Sequence, residues 1–312
     1  MERRKFIQLS ICSIACSSMG MSLFKSINVL NGSTGPIINI VLRDKTFSMD
    51  LEPEVLRFYR YYAGWLRKLT ERLGYERTLK VWQDAFRNYD DTKLNKILSS
   101  GWTKKNSNEL SNQDEKINNI IETYFSLPIE GLTKNEARQL IEITPPIIQI
   151  KNNCASLRLC KNITAYDYIH LSLNGIALLI ESLIKHYKKQ GELIAYDFIL
   201  EKRTNGSRND SLSVKELISA IGSITKSDKP NLMTAALKVD IISSSEKEII
   251  MHVKACEWAR YFRENHPKVG YLINCSTDEA AYMTANKNIR MQRTGTIMEG
   301  SEICDFRVYA VT

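Results

Sequence analysis

The sequence predicts an α+β fold: helices packed on one face of a mainly antiparallel four-stranded sheet, preceded by an all-helical N-terminal region. Apolar residues recur at helical spacing from Asp50 to about Ile143. Beyond residue 236 the pattern changes to strict alternation in two pairs of segments, each pair joined by a short polar turn. The composition, 43% hydrophobic and 25% charged over 312 residues, is that of a folded soluble protein able to bury one large core or two smaller ones.

The chain begins Met1-Glu2-Arg3-Arg4-Lys5-Phe6-Ile7, an arginine pair ahead of a moderately apolar run to about Phe24. Residues 1–28 therefore read as an export signal of the twin-arginine kind, which places the protein in an exported or periplasmic location. The run is too short and serine-rich for a stable transmembrane span. Ser13-Ile14-Ala15-Cys16 departs from a lipid-attachment site three positions before the cysteine, so membrane anchoring is a lesser alternative, and a cytoplasmic chain is the other.

Residues 29–150 form the helical region. Pro53 suits a first helical turn, and Val55, Tyr59, Tyr62, Leu66, Leu69 and Leu73 make a stripe that stops at Gly74. Leu79, Trp82 and Phe86 mark a second helix, and Asp90-Asp91 cap a third that ends near Gly101. A polar loop at residues 104–112 precedes the helical period of Ile117, Ile120, Ile121 and Tyr124. Thr133 and Glu136 have capping-box spacing, and Pro145-Pro146 closes the region.

Residues 151–312 form the α+β domain. Residues 145–162 read as extended or irregular. Thr164 and Asp167 then open a long helical stretch, with Gly191 separating two helices, and Ser213 with Glu216 starts a shorter one. Leu237, Val239 and Ile241 alternate with Lys238 and Asp240; after a turn at residues 243–247, Ile249, Met251, Val253 and Ala255 do the same. The second hairpin spans 289–311, with Glu299, Gly300 and Ser301 as its turn.

The formal charge of +8 raises the question of nucleic acid. From residue 252 onward eight Lys and Arg face seven Asp and Glu, and no basic run is interleaved with stacking aromatics. Nucleic-acid binding is not expected. The four histidines and the cysteines lack metal-ligand spacing, so neither a metal nor another cofactor is expected. Five cysteines follow the signal; Cys154 and Cys160 could pair in an oxidising compartment, leaving an odd number.

The remaining three cysteines carry the functional argument. Cys256 stands at a strand-to-helix junction. Cys275 precedes Ser276 and Glu279, whose spacing predicts a capping box and a helix start. A helix N-terminus lowers a thiol pKa and favours anions, so both thiols are candidates for chemistry; packing as small buried hydrophobes is the other reading. Two-residue periodicity across 289–298 puts Arg293 on the apolar face with Ile289, Met291, Gly295 and Ile297, and that face is shared by Cys304, Phe306, Val308 and Ala310. A buried guanidinium needs either a protein carboxylate, such as Asp278, or an anionic ligand. His252, Asp240, Asp305 and Arg307 fall on the opposite, solvated face.

The series C-E-W-A at Cys256, G-Y-L-I-N-C-S-T-D at residues 270–278, R-T-G-T-I-M-E-G at residues 293–300 and C-D-F-R at residues 304–307 resembles the L-2-amino-thiazoline-4-carboxylic acid hydrolase family over about residues 165–312. The G-x-x-x-C-x-F ending is also similar, more distantly, to four-vinyl-reductase type ligand-binding domains. The closer resemblance implies hydrolytic opening, at a C–N bond, of a small cyclic amidine-like ring that carries a carboxylate. On that reading Arg293 holds the carboxylate and Asp278 is a general base. Cys256 or Cys275 is nucleophile or ring-orienting group, and Thr296, Glu299 and Cys304 complete the substrate side. The period places Thr296 opposite Arg293 unless Gly295 makes a bulge. The competing class is a non-catalytic small-ligand-binding or sensor module on the same fold, with the helical region mediating assembly such as a homo-oligomer.

Overall fold

The computed structural model describes residues 45–99, 102–104, 133, 135–136, 139–140, 143–146, 157–207, 213–224 and 231–311. The expected export signal, the expected loop at 105–112, the expected helical period at 117–124 and the Cys154 partner of the expected disulfide lie outside the described residues. The chain divides into two compact units, one made of residues 48–163 and 167–198, the other of residues 1–47, 164–166 and 199–312.

In the first unit the helices follow the apolar stripes. Helix α1 (Leu51–Leu73) ends at Gly74, whose φ of 79° only glycine adopts readily, and α2 (Tyr75–Phe86) and α3 (Thr92–Ser99) follow. Asp90 accepts from the Thr92 N–H at 2.9 Å, and Thr133 and Glu136 exchange the two hydrogen bonds of the expected capping box. Tyr62, Trp65, Leu66 and Leu69 of α1 and Val81, Trp82 and Phe86 of α2 are buried. Trp65 lies 4.1 Å from Phe198 between ring centroids, and Tyr62 meets Trp82 edge-on. Trp82 Nε1 donates to Thr144 Oγ1 at 2.7 Å, which satisfies a polar atom that burial would otherwise strand.

Strands accompany these helices. Strand β1 (Thr46–Asp50), β2 (Trp102–Lys104) and β3 (Leu157–Thr164) make a small sheet in the order β1-β3-β2, with β2 and β3 antiparallel. The N-terminal part is thus mainly helical and adds strand segments too short for periodicity to reveal. Pro145 and Pro146 are helical rather than extended.

Helix α4 (Ala165–Ser207) is two helices joined at Lys188, whose φ of 49° and ψ of −127° leave the helical region. Gly191, expected as the separator, lies three residues later. A Cβ there would stand 2.6 Å from the Leu183 carbonyl oxygen, so glycine is required by the closeness of the returning backbone. Among the described residues Ala165–Thr204 has the length and apolarity to cross a membrane, and 72% of its apolar window is buried within the protein.

The second unit is built on a four-stranded antiparallel sheet, β4 (Leu237–Ser244), β5 (Glu248–Cys256), β6 (Ile289–Gln292) and β7 (Cys304–Ala310), in the order β4-β5-β7-β6. Both hairpins form. The register pairs Ile249 with Val308 and Met291 with Val308, so the alternating apolar residues meet on one face. Helix α5 (Val214–Ile224), started by the Ser213–Glu216 capping box, packs Leu217, Ile218 and Ile221 on that face. A short helix α6 (Leu232–Ala236) leads into β4. Between β5 and β6 run α7 (Glu257–Asn265), α8 (Gly270–Asn274) and α9 (Asp278–Ala285); Ala281 and Ala285 of α9 join the same core. The architecture is α+β, with helices on one face of an antiparallel sheet.

Gly175, within α4, sits where a Cβ would come 2.1 Å from Tyr62 Oη and 2.9 Å from Pro146 Cγ. Gly175→Ala is expected to destabilise the protein by ~1–3 kcal/mol through overpacking. Thermal and denaturant unfolding test this, and an unchanged midpoint would refute the tight packing.

Candidate functional site

The second unit gathers an arginine pair, one carboxylate and three thiols. Asp278 opens α9 and bonds through both oxygens: Oδ2 accepts from Arg293 Nη1 at 2.6 Å, and Oδ1 accepts from Arg203 Nη1. The second nitrogens reach the end of α8, Arg203 Nη2 donating to the Asn274 carbonyl at 2.5 Å and Arg293 Nη2 to the Cys275 carbonyl at 3.1 Å. A helix C-terminus offers unpaired carbonyls and partial negative charge, which suits guanidinium groups. Side-chain exposure is 3% for Arg203, 9% for Arg293 and 18% for Asp278, so these charges interact with little solvent screening.

Arg293 also lies over aromatic rings, 5.3 Å from the Phe306 centroid and 6.0 Å from that of Tyr271. Burial alone would lower its pKa, but the charge of Asp278 raises it, so the guanidinium stays charged. Arg203 was not expected from the sequence. The available signal was the helical register Ala195, Ile199, Arg203, all buried: the arginine continues an apolar stripe, as Arg293 follows apolar residues in the alternating sequence before it.

Cys256 ends β5 and caps α7, its sulfur accepting from the Ala259 N–H at 3.4 Å, as the strand-to-helix junction predicts. Its pKa is nevertheless pushed up to about 12, because burial outweighs the N–H groups at the helix start. Cys275 departs from expectation in position. It caps the C-terminal end of α8, and α9 begins at Asp278 behind Thr277 without a side-chain cap. Ser276 donates to the Leu272 carbonyl at 2.7 Å instead of forming a capping box with Glu279. The short α8 takes the residues preceding Cys275 into a helix of its own, which moves the next N-cap from Ser276 to Thr277. Burial, then Asp278 and Cys256, raise the Cys275 pKa well above the ordinary thiol value. Cys304, buried on β7, accepts from the Ile297 N–H at 3.2 Å, and burial raises its pKa as well. The expected lowering of thiol pKa is therefore overturned at Cys256 and Cys275, and all three sulfurs are neutral thiols at neutral pH. The three are close enough to influence one another electrostatically.

Strand β6 ends at Gln292, so the two-residue period stops before Arg293. Residues 293–303 form a loop instead, with a single 3-10 turn at Ile297–Glu299. Asp305 holds this loop, accepting from the N–H groups of Thr294 at 3.0 Å and Gly295 at 2.9 Å and from the Thr294 hydroxyl at 2.7 Å. Burial would push the Asp305 carboxyl up, but these bonds keep it below the usual range. Asp305 thus has a loop-holding role rather than a purely solvated one. Thr296 is buried and caps the turn; its hydroxyl donates to Glu299 Oε2 and accepts from the Glu299 N–H, both at 3.0 Å. The question of which strand face Thr296 occupies disappears, because the strand has ended. Gly300, at φ 103°, closes the turn.

Gly270 allows α8 to lie against α7: a Cβ there would be 2.6 Å from Phe262 Cβ and 2.7 Å from Met298 Sδ. Tyr282 of α9 has its pKa raised by burial and by Asp278, and so lies in the same electrostatic environment. Among the described residues, Trp258 Nε1 and Thr277 Oγ1 are buried polar atoms without a hydrogen-bond partner. Among those residues no group of His, Cys, Asp and Glu is placed to hold a metal ion.

The fold and site define a small α+β domain with a buried guanidinium pair, one carboxylate shared between them and three neutral thiols. The model of the L-2-amino-thiazoline-4-carboxylic acid hydrolase family matches residues 169–308, and the C-terminal part of the chain is similar to that family over this span. No curated protein and no solved structure matches the chain. The family match encloses every residue of the cluster, including Arg203.

Replacing Asp278 by Asn leaves two neighbouring guanidiniums without a counter-charge. Asp278→Asn is expected to destabilise the protein by ~3–5 kcal/mol. Denaturant unfolding measures this, and a loss below ~1 kcal/mol would show that the cluster is not held together by that carboxylate.

Proposed function

We propose that the C-terminal part is a hydrolase that opens a small cyclic amidine-like ring bearing a carboxylate, breaking a ring C–N bond. The observation that supports this most is the Arg293 guanidinium, charged, nearly buried and electrostatically linked to Cys275 and Cys304, within the residues matched by the hydrolase family. A carboxylate is the partner that a guanidinium recognises through two parallel hydrogen bonds. In the reaction, water adds to the amidine carbon, the ring C–N bond breaks, and a proton passes to the departing nitrogen.

Arg293 fixes the substrate carboxylate. Thr296, Glu299 and Cys304 act with it by forming the turn that carries it, since their hydrogen bonds are made within that turn. Asp278 is the candidate general base; both its oxygens are bonded to guanidiniums, so one guanidinium turns to the substrate before Asp278 meets the attacking water. Cys256 and Cys275 are the candidate nucleophiles or ring-orienting groups. The buried, unpaired Trp258 Nε1 and Thr277 Oγ1 flank them in sequence and favour a site that receives a polar ligand. Export through residues 1–28 and a small-molecule partner belong to the same proposal.

The second reading, a non-catalytic module that binds a small acid, is favoured by the three neutral thiols. Turnover decides between them. The purified chain is expected to hydrolyse L-2-amino-thiazoline-4-carboxylate, with Arg293→Ala raising KM by ~100-fold as two charge-assisted hydrogen bonds are lost. No turnover by a well-folded chain rejects the hydrolase with this substrate.

The pH dependence separates the roles of the thiols. A raised thiol pKa means that the neutral form dominates at pH 7 and the thiolate fraction grows about tenfold per pH unit below the pKa. If Cys256 or Cys275 attacks the ring, kcat is expected to climb from neutral pH past pH ~9 without a plateau. A flat profile across that range, with activity kept in Cys256→Ala and Cys275→Ala, would remove the thiols from the chemistry.

A further inference from the structure

Ring opening needs a proton donor as well as a base. A ring nitrogen that departs without a proton leaves as an amide anion, a far stronger base than a phenolate, so a positioned acid lowers the barrier to breaking the C–N bond.

Tyr282 is placed for that task. It follows Asp278 by one turn of α9, so the two side chains lie on the same side of that helix. Ala281 and Ala285 of α9 are buried in the core, and the half-buried Tyr282 ring packs against the same core. Its hydroxyl is within electrostatic reach of Asp278, Arg203 and Arg293. Packing accounts for the ring, and phenylalanine would serve it as well, but packing does not account for the hydroxyl. A tyrosine set into a core ordinarily gives its hydroxyl a partner, and among the described residues no hydrogen bond engages that of Tyr282. Burial and then Asp278 push the phenol pKa up, against the smaller effects of Arg203 and Arg293, so the proton is present at neutral pH.

We propose that Tyr282 is a catalytic residue, the general acid that gives its hydroxyl proton to the departing ring nitrogen. This rests on the hydrolase reading and names the proton donor of its bond-breaking step. As the ring C–N bond breaks, its electron pair stays on nitrogen and takes the phenol proton, forming an N–H bond and a phenolate. Water becomes the oxygen of the new carbonyl group; the two protons it loses match the two that the amidine nitrogens gain, and the second of those comes from Tyr282. The phenolate regains a proton from solvent, so the residue is unchanged over the cycle. Arg203 and Arg293 favour the phenolate charge through space while keeping their own bonds.

The test compares Tyr282→Phe with the unaltered full chain on L-2-amino-thiazoline-4-carboxylate. The substitution removes one oxygen and keeps the ring in the core, so the unfolding midpoint is expected to change little. The expected loss in kcat is about 100-fold or more, with KM changed by less than about threefold, a split that a merely structural tyrosine would not give. Tyr282→3-fluorotyrosine keeps the hydroxyl and nearly its shape but makes the phenol more acidic. Because proton donation follows donor strength, it is expected to raise kcat at neutral pH by about twofold or more.

A folded Tyr282→Phe protein whose kcat stays within about threefold of the unaltered chain overturns the proposal. So does a rise in KM with kcat unchanged, which would make Tyr282 a binding group. If Tyr282→Phe does not fold, the fluorinated chain decides, and an unaltered kcat there overturns the proposal. Turnover that neither substitution affects keeps the hydrolase reading and removes Tyr282 from it, whereas a well-folded unaltered chain without turnover refutes both.

Discussion

One carboxylate ties together three segments of the second unit. Asp278 joins the end of α4, through Arg203, to the loop after β6, through Arg293, and it stands at the first position of α9. These segments are separated by 75 and 15 residues along the chain, and each alone leaves a charged group in a poorly solvated place. Burying an ion costs several kcal/mol unless its partners are present, so the three charges are placed together or not at all. The backbone carbonyls of Asn274 and Cys275 complete the arrangement. The short helix α8 is therefore more than a connection, because its end supplies acceptors that a continuous helix would have used internally.

The thiols show how local and tertiary effects compete. Cys256 has the helix-start geometry that lowers a thiol pKa, and the N–H groups of that helix do bond to its sulfur. Burial works in the opposite direction and is the larger effect, because a thiolate removed from water loses more than two weak N–H contacts return. Cys275 loses even the local advantage, since it ends a helix. Three neighbouring neutral thiols can pack closely without mutual repulsion, whereas three thiolates could not. That neutrality leaves the ion-paired guanidiniums and carboxylates as the charged groups of the site.

Much of this was legible in the sequence, for identifiable reasons. Alternation marked both hairpins because one sheet face is packed on α5 and α9 and the other is solvated. Arg293 could be picked out as one charged residue on an apolar face, and Cys256 as the end of a strand. What the sequence obscured depended on distant partners. The capping-box spacing of Ser276 and Glu279 was present, but the Leu272 carbonyl captured the serine. The period at 289–292 seemed to extend into residues that Asp305 instead pulls into a loop. Arg203 sits in the last turns of a helix, where basic side chains are ordinarily solvated, and only its register betrays its burial. In the first unit, β1 and β2, of five and three residues, carry too little pattern to be read without the strand that pairs with them, whereas most of β3 falls in the stretch read as extended or irregular.

The loop that bears Arg293 has its shape imposed at several points. Asp305 gathers the N–H groups of Thr294 and Gly295, Cys304 takes that of Ile297, and Thr296 and Glu299 tie the turn to itself. A free loop of this length would lose a substantial part of its conformational freedom on meeting a ligand, at about 1–2 kcal/mol for each residue fixed. Here that ordering is completed when the chain folds. Arg293 is thereby held in place by the fold itself, and no further ordering of the segment that carries it is needed for its bonds to Asp278 and the Cys275 carbonyl.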